Sequence, residues 1–401
     1  MTRAGFGLLL VVYAAFVALG LPDTVLGAAW PVMHGDFGVS LGALGVLGVV
    51  GALSAVASSV FYGRLRHKPS PWVVLVGSTA LMALAMLGFG FVGHWALVVA
   101  LAVAWGLCGG GIDIELNHFA ARHFSRRHMS WLHGCWGIGA AAGPLLLAGM
   151  LSATGRWQGG FWLLAAVMGL LALGFWATRG LWPGAAAAGA QPVDTSAGLA
   201  PADEAPPPRA ALWLSPLCFF LVVASEFATA IWIPSIMVEG HGLAAAEASR
   251  WATLFFGAMT AGRFLIGALG QRLDNRLQVR LGIAAAIVGA GVFTASGANA
   301  AGAAGLLLMG LGAAPLFPAL MHETGQRFSA AWSGRMVARQ MTGAYLAGAL
   351  MPLVYAVLVD HVGVAAIVPT AVGLLLLLAV CTVALDRATP PRGAAPPGTP
   401  P

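Results

Sequence analysis

Charge is what this sequence has least of. Only 8% of its 401 residues are Asp, Glu, Lys or Arg, against roughly 25% in an ordinary soluble domain. A surface so poor in charge excludes a water-soluble globular protein and points to lipid as the solvent. Cysteine is scarce too. Cys108, Cys135, Cys218 and Cys381 stand far apart in apolar runs, which excludes a disulfide framework and a metal-ligand spacing; they read as small buried apolar residues. No Walker motif, nucleotide-binding domain or hydrolase constellation is present, so the sequence offers no enzyme chemistry, no cofactor and no ATP drive. No pair of histidines has convincing metal-site spacing. The net charge of +6 does not signal nucleic acid, because the cations sit in short clusters between apolar runs, as in the inner loops of a membrane protein.

What is abundant is apolar length. Hydrophobic residues make up 59% of the chain, and runs of about twenty recur from end to end. They predict helices near 5–29, 39–63, 72–92, 95–121, 129–152, 158–179, 211–237, 245–270, 279–297, 299–324, 335–359 and 363–385. The punctuation between the ninth and tenth, Gly297 to Gly302, is soft. The first run is too long for a signal peptide and carries Asp23. With the N-terminus inside, 17 of the 20 Lys and Arg residues fall on inner segments, leaving only Arg156, Arg250 and Arg263 elsewhere. Both termini are therefore expected in the cytoplasm of a cell with an inner membrane, the chain passing through that membrane many times. Residues 180–210, a mixture of Ala, Gly, Pro, Asp and Glu, cannot build a span and predict a disordered cytoplasmic linker. It separates a six-helix bundle at 1–179 from another at 211–386, and a disordered tail follows at 387–401. The fold class is all-α: twelve transmembrane helices in two pseudo-symmetric bundles, with a monomer expected.

The halves read as repeats. Asp23 precedes Pro31 by eight residues at the end of the first helix, and Glu226 precedes Pro234 by eight at the end of the seventh, both at an offset of 203. His118 to Ser125 at the end of the fourth helix parallels His322 to Ser329 at the end of the tenth, at an offset of 204. Gly143-Pro144-Leu145 parallels Met351-Pro352-Leu353. Parallel repeats place a binding site between them near the membrane midplane.

This organisation resembles the major facilitator superfamily over essentially the whole chain. Several segments look like its fucose permease branch, whose members are sugar/proton symporters: Gly20-Leu21-Pro22-Asp23 with Trp30-Pro31, Asp113 four residues before Asn117, His133-Gly134 with Gly143-Pro144, Ser225-Glu226 with Trp232, and Pro315 with Phe317-Pro318. The superfamily's loop after the second and eighth helices normally carries an Asp; here Gly63 and Gln271 fall there, which puts the standard inner charge lock in doubt. The fifth helix partly resembles the Gly-Pro motif of drug/proton antiporters, with Ser130 and Leu147 where Gly is expected. The resemblance implies alternating access, protons and a small-molecule substrate. Proton-coupled uptake of a sugar or similar polar solute is the first expectation, and proton-driven efflux of hydrophobic compounds the alternative.

An acid placed in a bilayer is paired, protonated or wetted by a cavity. Asp113 and Asn117 lie one turn apart on the same helix face; they either bind proton and substrate or form an interhelical hydrogen bond. Glu115, about 200° round the helix from Asp113, points elsewhere, toward packing with His118 or Arg122. Asp23 is either a proton and substrate group, as the resemblance implies, or a polar group near the outer interface; Glu226 is its repeat counterpart. Asp23, Asp113 and Glu226 form the expected coupling set. Arg263 must pair with an acid, Glu226 or Glu323, and Glu323 stands where it could serve an inner gate. His133 either meets substrate or is a satisfied interior group. Trp136 and Trp232, inside spans, could stack on a sugar face or simply pack. Trp30, Trp72, Trp95 and Trp157, near run ends, read as interface anchors. Prolines in the fifth, tenth and eleventh helices predict bends.

Overall fold

The computed structural model of the chain describes residues 3–64, 70–123, 126–182, 206–269 and 273–390. Thirteen helices of twelve residues or more account for nearly all of them: α1 Arg3–Asp36, α2 Leu44–Arg64, α3 Pro71–Phe89, α4 Trp95–His123, α5 Arg126–Thr154, α6 Gln158–Ala177, α7 Arg209–Ser225, α8 Ala245–Leu269, α9 Asn275–Ser296, α10 Ala300–Ala313, α11 Leu316–Arg327, α12 Ala330–Val362 and α13 Ile367–Ala388. Among the described residues, eleven spans are long and apolar enough to cross a membrane, with α10 and α11 forming one of them. The apolar α7 is shorter and is continued by brief turns as far as Gly240. Most of the predicted linker and tail, and the loop residues Arg66, Lys68, Gln271 and Arg272, lie outside the described residues.

Local chemistry explains the boundaries. The soft punctuation after α9 is a real turn: Gly297 has φ +65°, which disfavours any residue with a Cβ. Asn299 then caps α10 by accepting from the Ala301 and Gly302 amides at 2.9 and 3.0 Å. The tenth span breaks between α10 and α11 at Pro315, which has no N–H to donate. The seventh helix departs from the sequence reading. It ends at Ser225 rather than running unbroken to 237, and Glu226 leaves the helical region at ψ −83°. Ser225 Oγ donates back to the Leu221 carbonyl at 2.7 Å, a competing bond that bends helices, and Pro234 removes a second backbone donor.

The helices form two bundles, α1–α6 and α7–α13, that meet along α5 with α8 and along α2 with α12. Small residues let backbones touch where side chains would keep them apart. A Cβ at Gly20 would run into the Trp136 carbonyl, and one at Gly45 into the Pro352 carbonyl.

Consecutive spans run antiparallel, α10 and α11 counting as one, so one face of the molecule carries the start of α1 and the end of α13 (the N-face), and the other carries the end of α1 and the start of α2 (the far face). The buried core differs between them. Toward the far face one continuous cluster joins the bundles, running through Trp30, Met33, Trp232, Phe255 and Tyr355. Toward the N-face it splits in two. Phe16, Ile112 and Leu132 belong to a cluster of the first bundle alone, and Phe219, Leu320 and Leu378 to one of the second. The bundles are thus sealed together at the far face and parted at the N-face.

Candidate functional site: a polar chain across the two bundles

Where the bundles begin to part lies a cavity of about 300 Å³ lined by Asp23, Trp136, Val223, Glu226, Phe227, Arg263 and Phe317. The repeat-related acids reach it from opposite sides. Asp23, beside Pro22 in α1, accepts a hydrogen bond from Trp136 Nε1 of α5 at 2.9 Å. Glu226, at the break after α7, accepts from Arg263 Nη2 of α8 at 2.8 Å. The Arg263 guanidinium carbon in turn lies 5.8 Å from the Trp136 ring centroid, within cation–π range. Asp23, Trp136, Arg263 and Glu226 therefore form one chain of polar contacts from the first bundle to the second.

The Arg263–Glu226 pair is mostly out of water, with side chains 17% and 8% exposed. An isolated charge there would be costly, so each holds the other in place. Arg263 was expected to pair with Glu226 or Glu323; the structure places it on Glu226. Its Nε is buried with no hydrogen-bond partner among the described residues.

Toward the N-face the other candidates line the parting. Asp113 Oδ1 accepts from Asn117 Nδ2 at 2.7 Å, and that amide also donates to the Asp113 carbonyl at 2.9 Å. Asp113 is within electrostatic reach of Asp23 on its own side and of the exposed Tyr345 on α12. His133 is exposed, its ring edge-on to Phe16 at 5.8 Å and within electrostatic reach of Arg263.

Other expected residues sit elsewhere. Trp232 is fully buried in the far-face core and does not line the cavity. Trp30 and Trp157 are not interface anchors: both are buried, their indole N–H groups donating to the Leu41 carbonyl and to Asp36 Oδ2 at 2.6 Å each. Glu115 is buried in the first bundle; the side chains of His118 and Arg122 lie outside the described residues. Glu323 joins a network confined to the second bundle. Its Oε2 lies 3.1 Å from Arg276 and 3.2 Å from Arg327; Asp386 binds Arg327 at 2.6 Å and Arg280 at 2.7 Å. This network ties α9, α11 and α13 together and, among the described residues, does not reach the first bundle.

One residue that sequence reasoning passed over closes the far face. Asp360, near the end of α12, accepts from Ser40 Oγ and from the Gly42 amide, each at 2.8 Å. A carboxylate of the second bundle thereby caps the short 3₁₀ turn Leu41–Ala43 that leads into α2 of the first. Three weaker links lie on the same side: Ser249 Oγ to the Ala28 carbonyl at 3.3 Å, Thr253 Oγ1 to the Ala141 carbonyl at 3.1 Å, and Arg250 to Ser152 at 3.5 Å. The only sequence signal for Asp360 was an acid at the end of an apolar run.

Comparison with known proteins agrees with this architecture. The Major Facilitator Superfamily pattern matches residues 11–215 and 216–401, one segment per bundle. Among solved structures, a bacterial homologue of the human lysosomal transporter Spinster in an inward-facing and occupied conformation is similar, at 13% identity and a TM-score of 0.70, with 97% of each chain covered. The unoccupied inward-facing form of that homologue gives 13% identity and a TM-score of 0.64, with 97% of this chain and 98% of that one covered. No curated protein sequence matches. The fucose permease branch indicated by local motifs is not supported by these matches. A sealed far face, a parted N-face and a site between two repeats are what alternating access requires, and the chain belongs to the Major Facilitator Superfamily of secondary transporters.

Proposed function

We propose that this protein couples proton movement to uptake of a small polar solute, with a sugar-like molecule as the first candidate. One observation carries the reading: Asp23 and Glu226, at matching places in the two repeats, line the same cavity from opposite bundles. Asp23 and Asp113 take the proton-handling roles. Both are held by neutral donors, Trp136 and Asn117, so either can gain or lose a proton without breaking an ion pair. Glu226 is held by Arg263 and acts as counter-ion. Asn117, His133 and Trp136 supply hydrogen bonds and an aromatic surface to the solute. Glu115 and the Glu323 network hold their own bundles together.

The cationic loop pattern orients the N-face to the cytoplasm of an inner membrane, which makes this conformation inward-open. The chain works as a monomer, its bundles at 1–179 and 211–386 joined by a cytoplasmic linker at 180–210 and followed by a cytoplasmic tail at 387–401. The solute enters from outside, the far face seals over it through Asp360, and the N-face parts to release it.

Proton-driven efflux of hydrophobic compounds is the second reading. It is favoured by the apolar walls that Val223, Phe227 and Phe317 give the cavity. Proteoliposomes supplied with external radiolabelled sugars or preloaded with amphipathic drugs, with and without a pH gradient, separate the two. Gradient-driven sugar accumulation supports the first reading, and gradient-driven drug extrusion alone replaces it.

A further inference from the structure

We infer that the transported solute carries an anionic group, most simply a carboxylate, which binds Arg263 in competition with Glu226. The inference rests on the proposed proton-coupled uptake and names its substrate class.

The cavity holds one guanidinium and two carboxyl groups. Arg263 commits Nη2 to Glu226, while its buried Nε finds no acceptor among the described residues. A guanidinium has five N–H donors in a rigid fork suited to two oxygens at once, and here that fork is only partly used. A buried donor without a partner is expensive, and a second acceptor would remove the cost. Of the pair, the Arg side chain is the more exposed, at 17% against 8%, so an incoming group meets the cation first. Beside it the Trp136 ring and the Phe227 ring, 6.0 Å apart, offer apolar faces to the body of the solute.

Charge balance links this binding to the proton. With Asp23 and Glu226 both ionised, an entering anion meets a net negative cavity, and Asp113, within electrostatic reach of Asp23, adds to the repulsion whenever it is ionised. A proton on Asp23 brings the charges that line the cavity to neutral, and one on Asp113 acts in the same direction, so anion and proton are favoured together. Affinity for the anion must then rise as pH falls. His133, within reach of Arg263, shifts the balance in the same direction if it protonates. Replacing Glu226 with a neutral side chain removes the competitor and should tighten binding.

Isothermal titration calorimetry on the purified full-length protein, with no gradient, tests this with three matched pairs: glucuronate against glucose, benzoate against benzyl alcohol, and hexanoate against hexanol. The anionic member of at least one pair is expected to bind about tenfold or more tightly than its neutral partner. Its binding should tighten from pH 8 to pH 6, be lost in Arg263→Gln, and strengthen in Glu226→Gln. If Arg263→Gln does not fold, Arg263→Gln/Glu226→Gln, which leaves no buried charge unpaired, takes its place. Equal binding of neutral members, no binding of any anion, or anion binding that survives loss of Arg263 overturns the inference. Because no gradient is involved, anion binding without gradient-driven flux would defeat the coupling reading and leave the anion site standing.

Discussion

The two bundles solve the same problem differently. Both put an acid at the matching place in the repeat, Asp23 and Glu226, and both aim it at the shared cavity. In the first bundle α1 runs unbroken through Pro22, Asp23 and Pro31, and the acid rests on a neutral indole. In the second, α7 stops at Ser225, and the acid rests on a cation. A carboxyl beside a neutral donor can change protonation state cheaply; one locked to Arg263 can do so only when something else satisfies the Arg. Under the proposed coupling, this asymmetry gives the proton to the first bundle and the counter-ion to the second.

Several substitutions would break or sharpen this contrast. The largest effect on transport is expected from Asp113→Asn and Asp23→Asn. Each should abolish proton-driven accumulation while solute exchange down its own gradient continues, measured as uphill uptake against counterflow in proteoliposomes. Normal accumulation in either variant would remove that residue from the coupling set. Next comes the ion pair. Arg263→Gln strands Glu226 in a mostly buried site and should lower stability by about 3–5 kcal/mol. Glu226→Gln/Arg263→Gln should regain most of that, read as thermal unfolding in detergent. A double variant no better than the single would mean that the pair is not the main partner of either charge.

A smaller effect is expected from Asp360→Ala. It removes the cap on the 3₁₀ turn before α2 and should shift the population toward a far-open state. Spin labels on Gly38 and Glu239 would report this as a longer distance between the far-face ends. The smallest effect on transport belongs to Glu323→Gln. Its partners among the described residues all lie in one bundle, so the change should lower thermal stability and leave the substrate KM unchanged.

Much of the fold was legible because burial in lipid imposes a length rule that hydropathy reads directly. Twelve apolar runs, the repeat offset and the pairing of Arg263 with an acid could all be found along the chain. The break at Glu226 could not: it depends on a serine bonding backward and on a partner 37 residues away. Asp360 was invisible for a similar reason, since its partners Ser40 and Gly42 are more than three hundred residues distant. Trp30 was misread as an interface anchor because a run's end in sequence is not always a surface in space, while Trp232 took the packing role that the sequence had left open beside a substrate role. Both fall inside the seal between the bundles, where the far-face core is continuous.

The account's central claim is that the cavity between the bundles opens to one face at a time. A single cysteine at Val223, in a chain whose four native cysteines have been replaced, tests it with a membrane-impermeant thiol reagent applied to right-side-out and inside-out vesicles. The account predicts labelling from the N-face alone in the resting protein, with labelling from the far face appearing when Asp360 is changed to Ala. Equal labelling from both faces in the resting protein, or none from either, would contradict it.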